Sequence, residues 1–485
     1  MKTTILVAAA VLAIALSGLA GWQLFLPNEV LVTLGENQNE PPAKPAKTKE
    51  EMIEEALAKS SNVKGLYMTA DVASDPGVGA ARIRNKLIRL ATTTEINGFV
   101  IDVKEACGPD YDESRIRELI RTLHENNIWA IARIVTFSDS SRINVNPDWY
   151  LTRKNKKAVG VSCANKRHLV LKSSDGSKPS VVFWQDKAGR YWMDPTHPEV
   201  RKYLAEFSKT MIDLGFDELQ YDYIRFPSDG DIENANYPSW NGKSSKCGAM
   251  RDFFRYLSRD LKAYKPDIIL SADLFGYASV GLDAGIGQCL DALEDNFDYI
   301  SFMTYPSHYY SGFHVPSLRG LPAISYRNLA EARAHPDTIV ERSLIFARDF
   351  FDGKIDLRGN PATTTQATST PPATSTAEVL QEPELPKPRS KARLRPWIED
   401  FFHEQDCLAK RPCNEKKVRM QIEATEQTEN HGWLLWNAAN VYTEGALKKM
   451  NKNPSVDGFF LYVVALRGVL GYCDFRHDFR FGTRL

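Results

Sequence analysis

Short apolar runs alternate along the chain with stretches whose apolar residues recur at helical spacing. The apolar runs are rich in β-branched and aromatic residues, as buried strands are. The predicted strands cover residues 63–69, 97–103, 128–135, 217–222, 268–273, 298–304, 393–398 and 432–436. The predicted helices lie near residues 79–94, 113–126, 198–214, 247–264, 285–295, 326–352, 414–430 and 443–451. Eight strand–helix units in this order predict an α/β fold of the (β/α)8 TIM-barrel class.

A doubly wound open sheet is the alternative to a barrel. That fold usually carries a G-x-G-x-x-G turn after its first strand, and none follows residues 63–69. Two stretches interrupt the alternation. Ser138 to Pro195 forms a long loop after the third strand, in which Lys187-Ala188-Gly189 predicts a hairpin over the barrel mouth. Residues 355–391, before the seventh strand, contain TTTQATSTPPATST and are predicted to be disordered.

The two ends of the chain differ from the barrel in composition. Residues 3–28 are uncharged and follow Lys2, which indicates a membrane anchor or a cleaved signal peptide within residues 1–28. Residues 29–61 are mostly polar and include PPAKPAK, so they predict a stalk or linker. The barrel is then expected over residues 62–451, and residues 452–485 form a tail without an assigned role. Export to the outer face of a membrane, or secretion, follows from either interpretation of the N-terminus.

Composition excludes little, but it sets the class of partner. The chain is 43% hydrophobic and 25% charged, with 61 basic and 61 acidic residues, so its net charge is zero. A balanced charge gives no support for nucleic acid as a partner. The seven cysteines fit an oxidising compartment, and we consider two pairs, Cys107 with Cys163 and Cys407 with Cys413, against the alternative of free buried thiols.

Polar side chains follow nearly every predicted strand. In a β/α barrel the carboxyl ends of all strands meet at one mouth, so these side chains are expected to converge. Any one of them taken alone could equally be an ion-paired scaffold residue. The candidates are Asp102, Lys104, Arg133, Asp222, Arg225, Asp273, Tyr305, His308, Glu399, Asp400, Trp436 and Asn437.

Several stretches carry a resemblance to a known family. KGLYMTA, GFVIDVKEACG, YDYIRFP, SADLFGY, TYPSHY, RPWIEDF and GWLLWNAAN occur in this order between Asn62 and Thr443. Together they resemble a bacterial family of uncharacterised TIM-barrel domains regarded as glycoside hydrolases. The resemblance implies a sugar-active barrel, with a polysaccharide or oligosaccharide as substrate.

Glycoside hydrolysis needs two carboxyl groups beside one bond, one ionised and one protonated. Asp222 and Asp273 end adjacent predicted strands, so we predict them as the catalytic pair, with Asp222 as the nucleophile or charge-bearing group. Arg225 or Lys104 is expected to keep Asp222 ionised, and Asp400 and Asp102 compete with Asp273 for the second role. The residues predicted to bind substrate are Asp102, Lys104, Arg133, Arg225, Tyr305, His308, Asp400, Trp436 and Asn437. Aromatic residues in mouth loops could stack on sugar rings or simply pack, namely Trp184, Trp192, Tyr305, Tyr309, Trp433 and Trp436.

Other chemistries leave no motif in the sequence. There is no G-x-S-x-G elbow, no C-x-x-C, no H-E-x-x-H and no phosphate-binding loop. We therefore expect no cofactor and no metal. Two classes of function remain, a membrane-tethered glycoside hydrolase and a barrel that binds glycan without cleaving it, because a fold alone does not confer activity.

The N-terminal segment generates a prediction about location. A reporter domain fused after Leu485 should be active only outside the cytoplasm, because residues 3–28 would carry the body across the membrane. Reporter activity confined to the cytoplasm would contradict both the anchor and the expected disulfides.

Overall fold

Eight parallel strands form a closed ring at the centre of the molecule. The computed structural model describes residues 47–154, 182–362 and 387–449. Each strand pairs with the next in the chain, and the last pairs with the first through Val63 and Gly432, so the predicted (β/α)8 barrel is confirmed. The strands are β1 Val63–Met68, β2 Gly98–Glu105, β3 Trp129–Val135, β4 Glu218–Asp222, β5 Ile269–Phe275, β6 Tyr299–Met303, β7 Trp397–Glu399 and β8 Gly432–Trp436.

Helices surround the ring and cover its outer face. They are α1 Lys49–Lys59, α2 Val78–Thr93, α3 Glu113–Glu125, α4 Pro198–Leu214, α5 Lys246–Tyr264, α6 Leu329–Ala334, α7 Pro336–Phe351 and α8 Asn414–Thr428. Shorter helices span Ala70–Ser74, Leu290–Leu293 and Glu404–Leu408. The local sequence explains many of the boundaries. For example, α4 begins with Pro198, whose missing N–H costs nothing there, and ends at Gly215, which adopts a φ of 103°.

Three predicted helices differ from the observed ones. The predicted helix 326–352 is divided because Pro336 cannot continue α6 and forces His335 out of helical geometry, at φ −130° and ψ 60°. The predicted helix 285–295 is reduced to Leu290–Leu293, and the predicted helix 443–451 to a single 3-10 turn, Glu444–Ala446, with its end outside the described residues. Proline also interrupts the predicted strand 393–398, where Pro396 separates β7 from the pair Arg393–Leu394.

The two predicted insertions are partly described. Gln185 bridges Tyr191 in antiparallel fashion, and Gly189 takes a φ of 76° in the turn, which confirms the hairpin at Lys187-Ala188-Gly189. The predicted disordered segment, residues 355–391, includes ordered residues at both ends. Ile355 is buried and bridges Pro361, and Arg389 N donates to the Phe351 carbonyl. Residues 155–181 and 363–386 lie outside the described residues.

Disulfides staple two loops. Cys407 and Cys413 are bonded, as predicted. Cys247 is bonded to Cys289, a pair that the sequence did not suggest, and it ties the start of α5 to the loop before Leu290–Leu293. The predicted partner of Cys107, Cys163, lies outside the described residues. Within the parts of the chain that are described, no helix combines the length and the apolar character needed to cross a bilayer, and residues 3–28 are not among them.

The floor of the barrel is held by a buried ion pair. Glu218 of β4 and Arg395, which precedes β7, are both fully buried and hydrogen-bonded to each other. Glu218 also accepts from Ser271 Oγ at 2.6 Å and from Trp129 Nε1 at 3.1 Å, while the Arg395 guanidinium stacks on Tyr299 at 4.0 Å. The structure therefore places Glu218 at the end of the barrel away from the mouth, where it links β3, β4 and β5 to the segment before β7.

Removing one partner of this pair should destabilise the barrel strongly. Arg395→Met leaves the Glu218 carboxylate buried without a counter-charge, and we expect a loss of about 3–5 kcal/mol in the free energy of unfolding, measured by urea denaturation. The double variant Arg395→Met/Glu218→Gln should recover most of that loss. Arg121→Met, which removes an exposed pair with Glu125, is the control and should change stability by less than about 1 kcal/mol. A single Arg395→Met variant as stable as the wild type would refute this role.

Candidate active site

A single arginine joins three carboxylates at the mouth of the barrel. Arg133 of β3 donates to Asp102 Oδ1 of β2 at 2.5 Å and to Asp222 Oδ2 of β4 at 2.5 Å. Its Nε lies 3.2 Å from Asp222 Oδ2 and 4.0 Å from Asp273 Oδ2 of β5. Four adjacent strands thus bring their terminal charged side chains to one point, as expected for the carboxyl ends of parallel strands.

The charges around Arg133 hold it in place. Burial alone lowers the pKa of Arg133, but Asp102 and Asp222 outweigh that effect and raise the pKa well above its usual value. Asp102 is fully buried and also accepts a hydrogen bond from the Tyr67 hydroxyl. The guanidinium is thus a fixed positive charge between strands β2 and β4.

Asp273 is the more deeply buried of the two predicted catalytic carboxyl groups. It is 1% exposed, and its Oδ1 accepts from Trp397 Nε1 of β7 at 2.7 Å. Burial raises the pKa of Asp273 well above its ordinary value, and the neighbouring Asp222 charge raises it further, against the opposing effect of Arg133. Asp273 is therefore suited to carry a proton at neutral pH.

Asp222 lies nearer the solvent, at 8% exposure. Its Oδ2 faces Arg133, and its Oδ1 accepts the Tyr223 backbone N–H at 2.6 Å. Tyr223 has a φ of 51°, a left-handed conformation that costs a bulky residue energy and recurs at functional sites. The strained turn directly after β4 fixes the carboxylate that the sequence placed first among the catalytic candidates.

A bulge in β2 changes the roles of two neighbouring residues. The register with β3 shifts between Asp102 and Lys104, and Lys104 consequently points into the layer between sheet and helices. There it is fully buried, with Nζ 2.8 Å from Asp139 Oδ2. The prediction that Lys104 lies at the mouth and contacts substrate is therefore wrong, and it is Arg133, not Lys104, that pairs with Asp222.

Glu105 is the residue that sequence reasoning missed. It is half-buried and hydrogen-bonded to Asp102, next to Arg133 and Asp110, and burial together with the Asp102 charge raises the pKa of Glu105 to about 7. One guanidinium faces four carboxyls here, so a proton on Glu105 relieves the repulsion. The sequence pointed to Glu105 only as a charged residue directly after Lys104. The bulge in β2 determines which of the two side chains faces the mouth, and no sequence motif marks that bulge.

Arg225 does not form an ion pair with Asp222. It is 6% exposed and donates to the Phe226 carbonyl at 3.0 Å. Its guanidinium lies 4.5 Å from the Phe275 ring, 5.0 Å from Trp192 and 5.1 Å from Tyr223. Arg225 interacts with the Asp222 charge without an ion pair, so the expectation that it helps to keep Asp222 ionised stays a prediction. Its ring contacts fasten the predicted hairpin to the turn after β4.

An aromatic wall borders the carboxylates on the β6 to β8 side. Tyr305 stacks on Trp436 with ring centroids 5.7 Å apart, and Phe401 meets Trp436 edge-on at 5.1 Å. Burial raises the pKa of Tyr305 well above its ordinary value, and the charges of Asp273 and Asp222 raise it further. His308 lies exposed at the rim, 5.2 Å from the Tyr305 ring, with Nδ1 3.1 Å from Ser307 Oγ.

Other candidates serve the loops around the mouth. Asp400 accepts from Thr443 N and Oγ1, both at 2.7 Å, and Asn437 donates to the Asp400 carbonyl at 2.7 Å. Glu399 is buried against Lys417 Nζ at 3.0 Å. Four of the aromatic candidates are at most 2% exposed and pack in the interior, which was the alternative to stacking on sugar rings. They are Trp184, Trp192, Tyr309 and Trp433.

The carboxylates around Arg133 do not form a metal site, since the guanidinium occupies the position that a cation would take. Among the described residues, one group of side chains has the spacing of metal ligands: Cys247, Asp283 and Cys289. The sulfurs of that group are joined in a disulfide and are not free to bind an ion.

Residues 65–442 match the family described as "Putative glycosyl hydrolase domain". The chain belongs to this family. The match spans most of the chain and confirms the resemblance drawn from its motifs. No curated protein matches the chain.

Several solved structures are similar to this chain. A hypothetical protein from Ruminiclostridium thermocellum is 26% identical over 43% of this chain and 96% of its own, with a TM-score of 0.32. The PgaB glycoside hydrolase domain from Bordetella bronchiseptica is 10% identical over 78% of this chain and 95% of its own, at a TM-score of 0.46. Amy13B from Eubacterium rectale is 11% identical, with coverages of 79% and 68% and a TM-score of 0.41.

The position of Glu105 generates a prediction about stability and pH. The pKa of an unperturbed glutamate is about 4.3, whereas the fold raises the pKa of Glu105 to about 7. The stability that the shared proton contributes is complete below the lower value and is lost as the pH rises through the higher one. Glu105→Gln does not titrate, so its stability relative to the wild type should increase over this interval and then level off.

Urea denaturation of both proteins across this pH interval checks the trend. Glu118→Gln, at an exposed position of α3, is the control and should follow the wild type at every pH. Parallel curves for Glu105→Gln and the wild type would show that Glu105 has an ordinary pKa.

Proposed function

We propose that the protein is a glycoside hydrolase that acts on a polysaccharide, with Asp222 and Asp273 as its catalytic carboxyl groups. The observation that carries this proposal is the shared guanidinium of Arg133, which has both carboxyls within 4.0 Å of its Nε. Catalytic carboxyls of glycosidases lie about 5–9.5 Å apart, on either side of the bond that they cleave. Two carboxyls in contact with one nitrogen are close enough to flank one glycosidic bond.

The environments of the two carboxyls support different roles. Asp273 is buried, and its pKa is raised by burial and by Asp222, so it is suited to donate a proton to the leaving oxygen. Asp222 is paired with Arg133 and lies closer to solvent, so it is suited to attack the anomeric carbon or to bear the charge that stabilises an oxocarbenium-like transition state.

The aromatic wall supports a sugar as the substrate. Pyranose rings have apolar C–H faces that pack on flat side chains, while their hydroxyl groups need polar partners. Trp436 and Tyr305 offer such a face beside the carboxylates, and His308 offers a ring nitrogen at the rim. Arg133 and Asp102, predicted to bind substrate, are better described as positioning residues for Asp222, because both are committed to contacts within the cluster.

A barrel that binds glycan without cleaving it is the second candidate. The observation in its favour is the low exposure of the carboxyls, 1% for Asp273 and 8% for Asp222. A substrate must reach both groups for hydrolysis, whereas a binding protein needs only the more open wall formed by Trp436 and its neighbours.

We place this activity outside the cytoplasm, at the membrane or in a secreted form. The uncharged run 3–28 supports an anchor or a signal peptide. The disulfides Cys247–Cys289 and Cys407–Cys413 support an oxidising compartment.

Substitution of the two carboxyls should separate their roles. Asp222→Asn keeps the size of the side chain and removes its charge, so kcat should fall by roughly 10²–10³-fold or more, while glycan binding is kept. Asp273→Asn should lose activity mainly on substrates with poor leaving groups, because aryl glycosides with good leaving groups need little protonation. Initial rates on a polysaccharide and on a nitrophenyl glycoside measure both effects.

Asp217→Asn is the matched control, since Asp217 lies beside the opposite end of β4 and accepts from Ala130 N at 2.8 Å. It should retain wild-type kcat. An Asp222→Asn enzyme with wild-type kcat would contradict the mechanism. A wild-type protein that binds glycan and never cleaves it would favour the second candidate.

A further inference from the structure

The loops after β7 and β8 line an open cavity of about 270 Å³ beside the aromatic wall. Its lining includes Asp400, Phe401, Phe402, Asn437, Val441 and Tyr442. None of the three carboxylates that contact Arg133 lines this cavity, so it is separate from the candidate catalytic centre.

Several polar groups of the lining are already hydrogen-bonded within the protein. Both Asp400 oxygens accept from Thr443, the Asn437 oxygen accepts from Ala439 N at 2.9 Å, and the Tyr442 hydroxyl donates to the Tyr67 carbonyl at 2.6 Å. Among the described residues, no basic side chain lines the cavity, and burial raises the pKa of Asp400, which favours the uncharged form of that carboxyl; a charged ligand is therefore poorly matched to this cavity. More of the cavity surface is apolar than polar, and this mixed surface suits a sugar, which has apolar C–H faces and polar hydroxyl groups.

Two large apolar side chains stand exposed at this cavity. Phe402 is 69% exposed and Val441 is 61% exposed, although both line it. Apolar side chains that line a concavity and remain open to water together are a usual mark of a binding surface.

The loop that carries Phe402 is held rigidly. Lys417 Nζ donates to the Phe401 carbonyl at 2.6 Å, and the disulfide Cys407–Cys413 closes the following turn. Asp406, directly before Cys407, is buried and paired with Arg333 at 2.7 Å. The exposed ring is thus presented on a fixed support, and ordering it on binding costs little.

The cavity is continuous with the wall that leads to the catalytic carboxyls. Phe401 lines the cavity and lies 5.5 Å from Tyr305 and 5.1 Å from Trp436, ring centre to ring centre. Tyr305 in turn lies close enough to Asp273 and Asp222 for their charges to raise its pKa. A chain of sugar units could therefore follow one aromatic surface from the carboxylates to Phe402.

We propose that this cavity is a distal subsite for a neutral sugar unit of the same polysaccharide chain that is cleaved at Asp222 and Asp273. This inference rests on the proposed function. It deepens that function, because an enzyme with such a subsite acts on extended neutral chains in preference to short glycosides.

The test compares two exposed apolar residues of the β7 to α8 segment. Phe402→Ala removes a side chain that lines the cavity, and Leu408→Ala removes one that is equally open, at 75% exposure, and is not in the lining. The full-length protein and both variants are assayed on soluble starch, xylan, galactomannan and mixed-linkage β-glucan, and on oligosaccharides of increasing length from whichever polymer is cleaved. Melting temperatures should match among the three proteins.

We expect Phe402→Ala to raise KM for the polymer by about two- to tenfold, the range for one lost aromatic contact. The shortest oligosaccharide that is cleaved should show unchanged kcat/KM, and Leu408→Ala should behave as the wild type. Equal effects of Phe402→Ala on the shortest and longest substrates, or no effect at all, would overturn the subsite and leave the proposed hydrolysis intact.

Binding is measured independently by electrophoresis in gels that contain each polysaccharide. If the wild type is retarded without cleaving, weaker retardation of Phe402→Ala still supports the subsite, while the hydrolytic function fails. If Phe402→Ala is retarded as strongly as the wild type, the subsite is refuted. A wild-type protein that neither binds nor cleaves any of these neutral polymers contradicts both.

Discussion

The contact on which the rest of the site depends is that between Arg133 and the carboxylates of Asp102 and Asp222. Charges in a dry barrel interior are costly unless each is paired, and one guanidinium cannot neutralise every carboxyl that faces it. The excess is relieved by protonation, since Asp273 and Glu105 both have raised pKa values. The same crowding at the mouth thus favours a proton on Asp273 beside Asp222, whose carboxylate is paired with Arg133, and this is the combination that the proposed glycoside hydrolysis needs.

The barrel separates this chemistry from its structural charges by depth. At the floor, Glu218 and Arg395 form an ion pair in full burial, away from the solvent at the mouth. Apolar residues such as Val100 and Ile131 fill the interior between floor and mouth. At the mouth, the bulge in β2 turns Lys104 outward to Asp139, which leaves Arg133 as the positive charge beside Asp222 and Asp273.

Much of this arrangement was predictable because it follows from local periodicity. The strands, and the convergence of Asp102, Arg133, Asp222 and Asp273, follow from the rule that parallel strands share one carboxyl edge. The predictions that were wrong or incomplete depended on a shift of one residue along a strand, or on contacts between residues far apart in the sequence. Glu105 lies at the mouth in place of Lys104 because of the bulge in β2, since a shift of one residue moves the following side chains to the opposite face of the strand. Cys247 and Cys289 are 42 residues apart, and the setting of Arg225 needs rings from three separate segments, so neither could be derived from spacing.

The low exposure of the carboxyls has a further consequence for how a substrate would be used. Seating a glycosidic bond between Asp222 and Asp273 requires a sugar to displace water and enter a covered mouth, which is unfavourable for that sugar alone. Contacts made elsewhere on the same chain can offset this cost, because binding energy from remote parts of a substrate can be spent on orientation at the reacting centre. The Tyr305 to Trp436 wall and the cavity at Phe402 lie where such contacts would form. Under that arrangement short glycosides would lose turnover as well as affinity, since they lack the units that hold the bond in place.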